Sequence, residues 1–251
     1  MAEYIDRAIA KGIGEIGLTD HLYLYFLDPA LREPGWAMPE EMFEAHHSEM
    51  VDLRARYGTK INVRISVEAD FVSGQETRLR SILDRFDFDY VLGGVHFVDG
   101  WLIDDPATRH RYDEEPVSAI YRRYYANLQL AIVSGAFDLI AHFDLPKKFG
   151  HRPEMSVDDL VLETLDLAAE RNVAIEVSSA GLRKPAREIY PSATILEQMK
   201  RRNIPIALGS DAHDPADVAD GYDELLRSVH AAGYRELATF QQRERRMLPI
   251  G

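Results

Sequence analysis

Three observations predict a parallel α/β fold of barrel type. Short apolar runs alternate with amphipathic helical stretches along the 251 residues, the signature of consecutive βαβ units. The runs are apolar almost throughout, as strands covered on both faces must be. Six of them end in residues that bind hard or borderline metal ions: Leu18-Thr19-Asp20-His21, Val67-Glu68, Gly94-Val95-His96, Ala141-His142, Ile175-Glu176-Val177 and Gly209-Ser210-Asp211-Ala212-His213. Parallel folds collect chemistry at the carboxyl ends of their strands, so these ends are expected to meet in one place.

The elements follow in order. Tyr4, Ile5, Ala8 and Ile9 make a helical stripe that stops near Gly12, so the chain opens on a helix with no strand before it. Strands are predicted over Glu15 to Asp20, Asn62 to Ala69, Tyr90 to Phe97, Leu139 to Phe143, Val173 to Ser178 and Ile206 to Ser210. Between and after them come helices near 39–57, 75–85, 115–133, 156–171, 192–202 and 216–231. For the fourth of these, Ser156 can cap, Asp159 lies three residues on, and Leu160, Val161, Thr164, Leu165 and Ala168 form the apolar face. Pro191-Ser192 starts the next, and Gly233 stops the last. Gly100 to Asp113 has neither period and reads as a long loop over one barrel end, a place where loops often carry function. Glu244 to Gly251 reads as loosely ordered. The length suits one domain spanning 1–251.

Composition narrows the chemistry. With no cysteine, disulfides, thiolate ligands and a cysteine nucleophile are excluded, leaving His, Asp and Glu as metal ligands. That also suits a reducing cytoplasm. No apolar run approaches the roughly 18 residues of a membrane span, and the first residues do not resemble a signal peptide. A formal charge of −13 argues against nucleic acid, which is held by basic patches. A small phosphorylated substrate is compatible with it, because bound divalent ions invert the local field. The sequence does not fix the number of subunits.

Spacing then selects candidates. Asp211 and His213 are two apart after a strand and can share one face; Glu68 with Asp70 and His142 with Asp144 repeat that spacing. In the latter pairs the first residue could ligate while the second orients a ligand from behind. Of the neighbours Asp20 and His21, His21 is expected to point inward. The two oxygens of Glu68 can serve two ions, and two ions about 3.5–4 Å apart suit in-line phosphoryl transfer to water. Taken singly, each histidine is more often a core or loop residue; their convergence carries the metal reading. His46, His47, His110, His151 and His230 are read as structural, and Glu176 as lying behind the ligands or touching substrate. Arg183 follows a Gly turn from which its planar fork could reach a phosphate, and Lys147 and Lys148 are read chiefly as solvated.

These runs, together with Ala141-His142-Phe143-Asp144-Leu145-Pro146-Lys147-Lys148-Phe149-Gly150, Ala180-Gly181-Leu182-Arg183-Lys184-Pro185 and Glu188-Ile189-Tyr190-Pro191-Ser192, resemble the histidinol phosphatase branch of the polymerase and histidinol phosphatase (PHP) superfamily. The resemblance implies a distorted seven-stranded (β/α) barrel holding two to three divalent ions, zinc, manganese or iron. It implies hydrolysis of L-histidinol phosphate to L-histidinol and phosphate in histidine biosynthesis. The implied metal ligands are His21, Glu68, His96, His142, Asp211 and His213. Glu68, Asp211 and Arg183 would carry catalysis, Arg183 on the phosphate and Asp104 or Asp105 on the cationic end of the substrate. Family members begin on a strand with a His-x-His pair and a further histidine soon after, which have no match here. The expectation is therefore a barrel without its first strand, through a misplaced start codon or truncation. An inactive metal-binding or interaction form, or a different phosphoester as substrate, are the alternatives.

Overall fold

The computed structural model describes residues 1–22, 24–26, 38 and 40–250. Helix α1 (Ala2–Ala10) buries Ile5 and Ala8, the inner half of the stripe anticipated for it. The main sheet is parallel and consists of β1 (Glu15–Leu18), β2 (His21–Leu22), β3 (Asn62–Asp70), β4 (Tyr90–Gly94), β7 (Leu139–Ile140), β8 (Ala174–Ser178) and β9 (Ile206–Gly209). Its order is β1-β3-β4-β7-β8-β9, with β2 also on β3. Two short strands, β5 (Phe97–Val98) and β6 (Trp101–Leu102), pair antiparallel beside it. Five helices fill the intervals: α2 (Phe43–Tyr57), α3 (Glu76–Leu83), α4 (Val117–Ser134), α5 (Asp158–Glu170) and α6 (Ala193–Arg201); α7 (Tyr222–Ala231) follows β9.

The strand centres form the core. Ile65, Val67, Val91, Ile140, Ile175 and Ile206 are all fully shielded from solvent, which is why their runs lack polar alternation. Each such side chain contributes about 1.5–3 kcal/mol through burial.

Five expectations change. The strand expected over Tyr90 to Phe97 ends at Gly94, and Phe97 pairs with Leu102 in β5 and β6 instead. The strand expected over Glu15 to Asp20 is broken after Leu18, because Asp20 turns away to His46 (Oδ2 to Nε2, 2.9 Å) before the chain re-joins β3 at His21. The strand expected to Phe143 ends at Ile140, since His142 takes a left-handed backbone, φ 25°. The segment 100–113 is not a plain loop: β6 is followed by a 3-10 helix over Pro106–Asp113. The tail is ordered too, as β10 (Glu236–Gln241) and β11 (Glu244–Pro249) form an antiparallel hairpin.

That hairpin lies at the amino ends of the strands. Its tip is tied there: Asp89 accepts from the Gln242 and Arg243 amides through Oδ1 and its carbonyl, at 3.2 and 2.9 Å. Arg243 also pairs with Asp138, and Arg245 donates to the Asn172 carbonyl at 2.7 Å. Among the described residues no strand joins β1 to β9, the two outer strands of the sheet. Between them lies a cavity of about 800 Å³ whose wall includes Gly17, Leu208 and Ala238 and whose inner end reaches Glu68, His142 and Asp211.

Candidate metal centre

Strand order places the carboxyl ends of β2, β3, β4, β7 and β9 around Glu68. In the β2–β3 register His21 stands directly opposite Glu68, so both side chains leave the same face. Glu68 is buried and meets three imidazoles: His142 Nε2 at 3.1 Å, His96 Nε2 at 3.5 Å and His21 Nδ1 at 3.7 Å. His213 joins through His21, Nε2 to Nε2 at 3.5 Å, and Asp211 joins through His213, Oδ1 to Nδ1 at 3.4 Å. The six residues singled out as ligands thus form one continuous cluster. Ligand atoms of His21, Glu68 and His96 lie within 4.8 Å of one another.

Two members are held in a left-handed backbone, His142 at φ 25° and Asp211 at φ 43°. For residues with a Cβ this costs energy and persists where the surroundings enforce it, a pattern common at functional sites. Two glycines make the room. A Cβ on Gly94 would lie 2.6 Å from His96 Cε1, and one on Gly209 would lie 1.8 Å from Glu176 Oε1.

Behind the cluster, Asp70 Oδ1 accepts from the His96 amide at 2.8 Å and faces His96 Nδ1 at 3.2 Å. Nδ1 is thereby engaged, and Nε2 is left turned toward Glu68. Asp144 does not play this part for His142. Its carboxylate binds Lys147 Nζ at 2.8 Å and the Ser192 amide at 3.0 Å. Lys147 is accordingly buried rather than solvated. Glu176 sits where expected, behind the ligands, its Oε2 accepting from the His142 amide at 3.2 Å.

The field inside the site is strongly cation-seeking. Burial pushes the Glu68 carboxyl up, but His21, His142 and His96 outweigh it and hold it below the usual carboxylate range. Burial disfavours a charged His96, yet Asp70, Asp104 and Glu68 override it and raise the imidazole to about 10. Glu176, buried and close to Asp211 and Glu68, is raised to about 7. Carboxylates that raise His96 and His142, while burial lowers His21, also favour a divalent cation among the same nitrogens.

At the rim, Arg183 is fixed by Nη2 to the Ser210 carbonyl at 2.5 Å and paired with Asp217 through Nε at 3.5 Å and with Asp220 through Nη1 at 3.9 Å. Asp104 pairs with Lys148 (2.9 Å) and, although burial opposes ionisation, is held at about 2 by His96 and Lys148. Asp105 is used locally, its Oδ1 capping the 3-10 helix at the Ala107 amide, 2.8 Å. Three couplings escaped the sequence. His46 holds Asp20, Lys148 holds Asp104, and the Tyr190 ring lies 6.5 Å from the His142 ring. Each joins positions distant in sequence, where local pattern carries no signal.

Residues 1–180 match the PHP domain family. The chain belongs to that family. This PHP-domain chain is 35% identical to the probable histidinol-phosphatase of Deinococcus radiodurans, over 96% of its own length and 90% of the relative's. It is 27% identical to the histidinol-phosphatase of Bacillus subtilis, over 90% and 91%. In fold it is similar to the crystal structure of histidinol phosphate phosphatase from Lactococcus lactis, complexed with zinc, L-histidinol and phosphate. The TM-score is 0.78 at 22% identity, covering 98% of this chain and 92% of that one. The parallel sheet flanked by helices is the PHP (β/α) barrel architecture. No helix among the described residues is long and apolar enough to cross a membrane.

Proposed function

We propose that the protein is a metal-dependent phosphomonoesterase that hydrolyses L-histidinol phosphate to L-histidinol and phosphate, within histidine biosynthesis in the cytoplasm. The observation that carries this reading is the buried Glu68 carboxylate ringed by His142, His96 and His21 at 3.1–3.7 Å. Relatives of this chain named histidinol-phosphatases, matched over most of its length, support the choice of substrate. The lone structure cited above, at 22% identity, supports the fold.

The residues present fit divalent cations. The donors are imidazole nitrogens and carboxylate oxygens without thiolates, which suits zinc, manganese or iron. Asp70 Oδ2 and His142 Nδ1 are buried without a hydrogen-bond partner, so the polar shell is arranged for more than the protein itself supplies. Two to three ions would be held by His21, Glu68, His96, His142, Asp211 and His213. Bound there, such ions would polarise the phosphoryl group and lower the pKa of water.

The chain's own residues do the rest. Glu68 and Asp211 supply the negative charge that holds the cations in place. Asp70 keeps His96 in one orientation, and Glu176 anchors the His142 backbone. Arg183, held at rest by the Ser210 carbonyl and by Asp217 and Asp220, neutralises phosphate oxygens. Asp104, rather than the capping Asp105, faces the cationic end of the substrate, with Lys148 as its resting partner.

The test is phosphate release from L-histidinol phosphate by protein loaded with zinc or manganese, run beside Glu68→Ala. Release by the wild type and a fall of at least about 10³-fold in the variant is expected, as for losing a central electrostatic contact. Equal rates in the two proteins would sink the assignment of the site. Turnover across several phosphomonoesters tests the substrate separately.

A further inference from the structure

Tyr190 lies beside this cluster, and its hydroxyl is left without a partner. The side chain is 2% exposed, and its hydroxyl is buried and makes no hydrogen bond. Burying a phenol oxygen without a partner costs free energy, and the surroundings hold the ring firmly in that position. Tyr190 exchanges backbone hydrogen bonds with Ser178 at the end of β8, 2.9 and 2.6 Å. The ring stands edge-on to the His142 imidazole at 6.5 Å and 76°, and Lys147 Nζ covers its face at 5.1 Å.

The charged groups that the phenol senses are carboxylates. The phenol feels Asp144, Asp211 and Asp104. None of the three is within hydrogen-bond reach, although a phenol would donate to any carboxylate it could touch. Burial and these carboxylates push its ionisation up, so the proton stays on the oxygen. The result is a fixed neutral donor beside the metal centre with no acceptor among the described residues.

We infer that Tyr190 is a substrate-binding residue whose hydroxyl donates a hydrogen bond to an oxygen of the bound phosphoryl group, opposite Arg183. This rests on the phosphomonoesterase reading above and adds to it a neutral donor on the His142 side of the phosphate. A donor of this kind strengthens its bond as charge gathers on phosphoryl oxygens, and so favours the transition state over the ground state.

Tyr190→Phe tests it, because it keeps the ring and removes only the hydroxyl. In the metal-loaded protein the thermal midpoint without phosphate should stay level or rise, since an unsatisfied group is being deleted. The increase in midpoint produced by inorganic phosphate should shrink, phosphate inhibition should weaken by about 5-fold or more, and kcat should fall about 10²-fold. A lower midpoint would overturn the inference, because the hydroxyl would then be bonded within the resting protein, through water. Phosphate inhibition and kcat within twofold of wild type would overturn it as well. If the wild type releases no phosphate from any phosphomonoester, the proposed function falls. The phosphate-induced midpoint shift still decides whether Tyr190 meets a phosphate.

Discussion

Asp70 is not among the six candidate ligands, yet it holds His96 at both the amide and Nδ1. Asp70→Asn keeps the shape and weakens that grip. The expected outcome is a 10- to 100-fold loss of metal affinity, roughly the usual effect of removing an outer partner of a ligating histidine, with little change in fold. A competition titration against a chromogenic chelator measures it; unchanged affinity would show that Nδ1 needs no anchor. At this scale the sequence was informative about first partners and poor about second ones. His21, His96, His142 and His213 stood out because each follows an apolar run. Asp144 carries the same two-residue spacing as Asp70 but bonds Lys147 and the Ser192 amide, because the chain turns at His142 and sends its carboxylate elsewhere.

Elements begin and end where side chains meet their backbone needs. Helix α4 has no capping side chain at Pro116; its first amides, Val117 and Ser118, are taken by Glu154 at 2.9 and 3.1 Å. Those amide bonds lower the Glu154 carboxyl from 4.5 to about 2. A carboxyl depressed on folding stabilises above its unfolded pKa, and that contribution fades as pH falls through the folded one. Thermal midpoints of wild type and Glu154→Gln should therefore differ above pH 4.5 and converge toward pH 2. A constant gap would exclude this cap as the cause. Asp89, buried, binds the Ile65 amide at 2.9 Å, the Gln242 amide and Arg54. Asp89→Ala should cost about 3 kcal/mol in urea unfolding, since several partners lose their acceptor; a cost below about 1 kcal/mol would mean that water replaces it.

The strands of the main sheet were legible because burial on both faces writes a continuous apolar run. The hairpin of β10 and β11 was not. Its turn, Gln242-Arg243, has positive φ at both residues, 51° and 66°, without the Asn-Gly pair that usually announces such a turn. Nor does local pattern announce the partners of its arginines, Asp138 for Arg243 and Asn172 for Arg245. The 3-10 helix over Pro106–Asp113 did leave a signal, a capping Asp105 followed by Pro106, but eight residues of a three-residue period are masked in a search for 3.6.

For the whole molecule, the cation-seeking cluster couples metal to stability. Cations bind only where the five strand ends are assembled, so they draw the equilibrium toward the folded state. At a thousandfold excess over Kd this is about 4 kcal/mol, or roughly 8–16 °C in a chain of this size. Differential scanning calorimetry before and after chelation should show that gap, and an unchanged midpoint would mean that the cluster holds no ion. A gap of that size would make the site and the fold one thermodynamic unit, with strands from β2 to β9 drawn to a common centre.

Gly94 and Gly209 give the site its last property. Neither has a side chain to bond, titrate or ligate, yet the volume a methyl group would fill at each is already taken by His96 and by the carboxylate of Glu176. In a saturation mutagenesis map both positions should therefore look as intolerant as the histidines themselves. Anyone searching such a map for reactive groups would find two silent positions that act by leaving space.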